Sequence, residues 1–220
     1  MKTLKYAFKK EWYNLILLLL PFLIVPFIWD KLPAQIPTHW NMQGHVDSYS
    51  SKSFGLLFAP LLNIGLYFLI LYLPKIDPKK RFEINQKPLP ILRSLMILFL
   101  LGIQFWIVQS AMGQQTIGSQ KWLYLGISIF FLVMGNYLKT LKPNYFIGIR
   151  VPWTLENEEN WRQTHRMGSY LWVAGGLLLI ILFPFLSLKT YSTFFFTVIM
   201  IIAIVPMAYS FYLYKQSAKN

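Results

Sequence analysis

The sequence contains no cysteine, which excludes disulfides, thiolate metal centres and cysteine nucleophiles. Acidic residues are also scarce, with 8 Asp and Glu against 21 Lys and Arg. None of the acidic residues falls near the centre of an apolar run, so a proton relay or cation pathway built on buried carboxylates has no support. The motifs H-E-x-x-H, G-x-S-x-G and the phosphate-binding loop are missing. No nucleophile, general base or metal centre can be named, and the chain reads as a non-enzyme that needs no cofactor. Charged residues make up 13%, about half of what a soluble domain carries.

What replaces them is apolar: 55% of the chain is hydrophobic and 18% aromatic. These residues come in blocks of about 17–24, the length that crosses a bilayer as a helix. Six such blocks predict an all-α polytopic membrane protein with spans at 12–29, 54–73, 89–110, 122–138, 169–188 and 191–214. The first follows four lysines, as a secretory signal would. The bulky, charged sequence after it offers no cleavage site, so it is expected to be an uncleaved span bent by Pro21 and Pro26. Arg93, near the start of the third span, is expected to snorkel to the interface. Asn63, Gln104, Gln109 and Asn136 are expected to hydrogen-bond between helices, and Gly175-Gly176 to allow close helix approach.

Basic residues concentrate on the cytoplasmic side of membrane proteins. With the amino terminus inside, 17 Lys and Arg fall on that side and 4 on the other. Both termini and residues 139–168 are therefore expected in the cytoplasm, and residues 30–53 outside. This asymmetry also accounts for the net charge of +13 without invoking direct nucleic-acid binding.

Residues 142–168 form the longest polar stretch. Pro143 should end the fourth span, Gly148 supplies backbone freedom, and Pro152 leads to Thr154 as a helix N-cap. Glu156, Glu158 and Glu159 fall where a helix dipole favours anions, and Glu158 and Arg162 are spaced for an i,i+4 pair. Trp161, His165, Gly168 and Trp172 share another face. Arg150 beside Trp153 reads in two ways: an interfacial anchor, or a guanidinium held by an indole face or a lipid phosphate. In the outer loop, Pro33 and Pro37 favour an extended path, with Asn41 and Gly44 as turn residues. His39, His45 and Asp47 do not match a zinc signature, and no metal is expected there.

The segment from Asn136 to Gly176 resembles the SdpI family of bacterial membrane immunity proteins. The resemblance rests on Asn144, Gly148, Ile149, Arg150, Pro152, Trp153, Thr154, Leu155 and Trp161; Val151 stands where the family has threonine. The outer loop, through Pro37, His39, Trp40, Asn41 and Gly44, is similar to a short domain of unknown function that accompanies the family. The resemblance implies a multi-pass protein of the bacterial cell membrane. It would give immunity to a secreted peptide toxin outside and hold a transcriptional repressor at the membrane inside. The residues implied for partner binding are Asn144, Gly148, Arg150, Pro152, Trp153, Trp161, His165 and Arg166 on the inner side, and His39, Trp40, Asn41 and Gly44 on the outer side. A different reading is a small transporter or lipid-handling protein with a polar cavity near the inner segment. A third is a membrane enzyme using a metal at His39 and His45.

Overall fold

The computed structural model describes residues 2–41, 45–78, 88–114 and 121–217. The elements run α1 (Lys2–Lys10), α2 (Trp12–Ile28) with a 3-10 turn at Trp29–Lys31, β1 (Gln35–Trp40), β2 (Val46–Ser51) and α3 (Lys52–Ile76). Then follow α4 (Pro88–Ala111), α5 (Lys121–Leu138), α6 (Pro152–Glu156), α7 (Glu158–Leu182) and α8 (Leu188–Ser217). Helices α2 (with its 3-10 turn), α3, α4, α5, α7 and α8 are long and apolar enough to cross a membrane. Contacts divide the chain into two compact units, Met1–Tyr72 with Leu89–Leu123, and Leu73–Pro88 with Tyr124–Asn220.

In the first unit the loop after α2 is an antiparallel hairpin rather than a merely extended segment. Gln35 pairs with Ser51 and Trp40 with Val46, with irregularities flanking His39. Asn41 closes the turn as expected: its amide N–H donates to the His45 carbonyl at 2.9 Å, and its side-chain oxygen accepts from the His45 N–H at 2.9 Å. The hairpin is seated by Ile36, fully buried in a cluster with Val25, Leu32 and Leu56. Trp40 lies against Trp106 of α4 with ring centroids 3.9 Å apart. At the hairpin's foot, the Lys52 ammonium donates to the Trp29 carbonyl at 3.0 Å.

The same unit corrects the reading of Arg93. Its side chain does not snorkel; it is fully buried, as is Glu11 at the α1–α2 junction. The guanidinium binds the carboxylate through two nitrogens, one being Nε at 2.9 Å. The Tyr67 hydroxyl donates to the same carboxylate at 3.2 Å. Beside them Asn14 Nδ2 donates to Ser94 Oγ at 3.1 Å. A long cation can reach water only if no buried anion competes for it, and Glu11 supplies that anion. Asn63 meets the expectation for buried amides, donating to the Ile97 carbonyl of α4 at 3.3 Å.

In the second unit α7 begins eleven residues before the apolar run starts, at Glu158, and ends at Leu182. Polar residues extend a span when the helix is capped and one face stays apolar. The core gathers Leu179 with Tyr191, Phe195, Val198 and Ile202 of α8. Gly176 lets α7 touch α5 backbone to backbone, because a Cβ there would sit 2.7 Å from the Ser128 carbonyl oxygen and the Leu132 nitrogen. Ser169 Oγ donates to the Gly135 carbonyl at 2.6 Å across the same interface.

Removing one member of a buried ion pair strands the other, at a cost of about 3–5 kcal/mol. Arg93→Met should therefore lower the unfolding free energy in detergent micelles by about that much, and Glu11→Gln/Arg93→Met by distinctly less. Equal losses in the single and double variants, read by thermal or denaturant unfolding, would contradict the pairing.

Candidate functional site

The polar stretch between α5 and α7 is built around Asn144, which is fully buried. Its side-chain oxygen accepts from the amide N–H groups of Phe146 at 2.8 Å and Ile147 at 2.7 Å. Its nitrogen donates to the carbonyls of Lys142 and Ile147, each at 2.9 Å. One amide side chain thus holds four backbone groups that no helix or strand would satisfy.

Gly148 follows with φ of +116°, a conformation side chains disfavour. A Cβ at this position would collide with the ring of His165. His165 is fully buried, and its Nε2 accepts the Ile149 N–H at 3.0 Å. That acceptor role leaves the proton on Nδ1, which donates to the Trp161 carbonyl at 2.8 Å. The geometry therefore holds one neutral tautomer. Trp161 stacks on the imidazole with centroids 3.9 Å apart and planes 18° apart. Its indole N–H donates to the Leu141 carbonyl at 2.7 Å. The Trp161–His165–Gly168 face read from the helical spacing is thus the face that carries the loop.

The cap assignment shifts. Thr154 is the third residue of α6, not an N-cap. Its hydroxyl accepts the Val151 N–H at 3.1 Å and lies 2.9 Å from the Ile149 carbonyl. Pro152 opens α6, where its missing N–H costs nothing. The cap of α7 is Asn157, whose side-chain oxygen accepts the Asn160 N–H at 2.9 Å. On α7 Arg162 binds Glu159, an i,i+3 pair, with Nε at 2.8 Å and Nη2 at 2.6 Å.

Trp153 and Arg150 do not form the cation–π pair that their spacing suggested. The Trp153 indole N–H donates to Ser210 Oγ of α8 at 2.7 Å, and its ring stacks on Tyr214 at 5.9 Å. Asn160 Nδ2 joins the same point, donating to the Ser210 carbonyl at 2.9 Å. Arg150 is exposed, and its Nη1 donates to the Tyr145 carbonyl at 2.6 Å. Arg166 is also exposed. With Arg162, Gln163, Met167, Tyr170 and Tyr209 it borders a recess of about 400 Å³. The proposed inner site thus separates by environment. Asn144, Gly148, Trp153, Trp161 and His165 face inward to partners within the unit, whereas Arg150 and Arg166 are presented to the surroundings.

In the hairpin, His39 Nδ1 lies 2.5 Å from Asp47 Oδ1 in an exposed pair. Trp40 and Asn41 serve the packing and the turn already described, and Gly44 lies outside the described residues. Among the described residues no three His, Cys, Asp or Glu side chains gather as metal ligands. Reasoning from sequence missed Ser210 and Asn160 as partners of the signature segment. A hydroxyl within the apolar run of α8 was the one signal available.

This geometry defines a six-span helical protein with a short hairpin beside α2 and α3 and a polar loop locked onto α7. Residues 140–210 match the SdpI/YfhL protein family, and residues 16–64 match the domain of unknown function DUF1648. The chain is 26% identical over 174 residues to the immunity protein SdpI of Bacillus subtilis (strain 168), spanning 79% of this chain and 81% of that protein. No solved structure matches. The chain is a multi-pass bacterial membrane protein that is similar to the SdpI family.

Gly148→Ala should cost about 1–3 kcal/mol of stability, since the backbone there is disfavoured for any side chain. Arg150→Ala should stay within about 0.5 kcal/mol, as surface substitutions do. Unfolding of the two variants in one detergent checks both. Equal losses would remove the distinction between inward-facing and presented residues.

Proposed function

We propose that this chain protects its bacterium from a secreted peptide toxin and signals the toxin's presence by retaining a transcriptional repressor at the membrane. The similarity to an immunity protein across about four fifths of both chains carries this reading. In this scheme the charge asymmetry sets the hairpin outside and residues 139–168 inside. The outer loop, with His39, Trp40, Asn41 and Gly44, meets the toxin. Arg150 and Arg166 meet the repressor, held in place by Asn144, Gly148, Pro152, Trp153, Trp161 and His165. The exposure of the two arginines supports the division, because exposed guanidinium groups suit an acidic protein surface. The chain acts by binding rather than catalysis, and DNA is contacted by the repressor alone.

A second reading is favoured by one observation. The recess beside Arg162 and Arg166 is bordered by two cations and two tyrosines, a set that suits an anionic lipid headgroup. Trp153 is committed to α8, so this lipid-handling reading rests on Arg162 and Arg166 rather than on Arg150 and Trp153.

Deletion of the gene should sensitise the native host to the toxin encoded by its own or a neighbouring strain. Trp40→Ala should reproduce part of that sensitivity. Arg150→Ala/Arg166→Ala should keep immunity but lose toxin-dependent induction of a reporter for the chain's own promoter. Unchanged sensitivity together with an unchanged reporter in the deletion strain would overturn both roles. An altered membrane-lipid composition there would favour the second reading.

A further inference from the structure

The first unit contains a cavity of about 200 Å³ between α2 and α4. Leu20, Pro21, Val25 and Ile28 line it from α2, and Leu101 and Gln104 from α4. Gln104 is the single polar residue among those lining it. It is only 6% exposed, and neither its side-chain oxygen nor its nitrogen has a hydrogen-bond partner. Asn63, the comparable amide on α3, does have one. A buried amide left so is rare in native proteins and calls for an occupant.

The position and chemistry of the cavity narrow that occupant. At a rise of about 1.5 Å per residue, Gln104 lies about 10 Å from the Ala111 end of α4, well inside a hydrocarbon layer. Two further lining residues, Ile24 and Phe105, are 45% and 66% exposed, so the cavity borders the lipid-facing surface and is entered from the bilayer. No charged residue lines it, which excludes an ionised headgroup. A carboxamide both donates and accepts, and a hydroxyl or an amide answers both functions. An ester carbonyl only accepts, and in an ordinary two-chain lipid it lies at the edge of the hydrocarbon. An apolar cavity of about 150 Å³ takes a benzene ring, so the space here holds the polar end and a short stretch of a chain.

We propose that this cavity is a binding site for a neutral single-chain amphiphile of the membrane, a long-chain alcohol or amide, whose polar group pairs with the Gln104 carboxamide. Its apolar chain runs along Leu20–Ile28 of α2. The site is separate from the signature segment and does not depend on the toxin reading. It makes the chain a receptor for a membrane-dissolved molecule.

The test uses the purified full chain in detergent micelles and two photoactivatable probes with the same diazirine-bearing chain, one ending in a hydroxyl and one in a methyl group. Peptide mapping by mass spectrometry should place the alcohol on residues 20–28 and 101–108. Gln104→Leu should reduce that labelling about fivefold, the equivalent of one net hydrogen bond. The alkane should label wild type and Gln104→Leu alike. Ile24→Trp, which fills the cavity but keeps the amide, should exclude both probes. Equal labelling by alcohol and alkane in wild type, or alcohol labelling indifferent to Gln104→Leu, would overturn the proposal. So would a dimer that Gln104→Leu dissociates, because a second copy would then occupy the cavity.

Discussion

A polar group buried within the protein has no water to turn to, and the structure is arranged around that constraint. Glu11 and Arg93 answer it as an ion pair in which the carboxylate also accepts from Tyr67. Asn144 answers it for a loop, taking up four backbone groups. His165 answers it with one acceptor and one donor, each used once. The separations differ: Arg93 reaches Glu11 across 82 residues, His165 reaches Ile149 across 16, and Asn144 serves groups only two or three residues away. Polar bonds between helices, such as Glu11 to Arg93 and Ser169 to Gly135, help to specify which helices become neighbours, because lipid tails are as apolar as leucine and apolar contact discriminates poorly.

The same constraint explains what sequence reasoning could and could not see. Spans were legible because a helix in lipid must be apolar for its whole length, a signal carried by every residue in it. The hairpin was half legible: Asn41 announced a turn, but strands as polar as Val46–Ser51 lack the alternation that marks a buried sheet face. Arg93 was misjudged because its partner lies 82 residues away, among four lysines that make the amino-terminal segment look uniformly basic. Thr154 was misjudged for a local reason. Two competent caps, Thr154 and Asn157, stand three residues apart, and Pro152 commits the first to a separate single turn.

The signature segment shows the limit more sharply. Its unusual residues could be recognised, and the structure gives each of the inward-facing ones a mechanical task. Gly148 has no side chain because His165 occupies the space; His165 is there because Ile149 needs an acceptor; Trp161 covers the imidazole and ties back to Leu141. Trp153 performs the equivalent task toward α8 through Ser210. This is a closed set of mutual requirements, and changing one member leaves another without its partner or its space.

Such closure has a consequence for specificity. A residue whose donors, acceptors and faces are used internally has little left to offer a ligand, so Asn144, Trp161 and His165 can position a binding surface but cannot supply its selectivity. Selectivity must come from groups with capacity to spare. On the second unit these are the exposed arginines, Arg150 and Arg166. On the first unit the clearest is Gln104, whose donor and acceptor are both unspent within an apolar wall. Two chains could share the whole braced scaffold, match the same family over residues 140–210, and still respond to different molecules through these few positions.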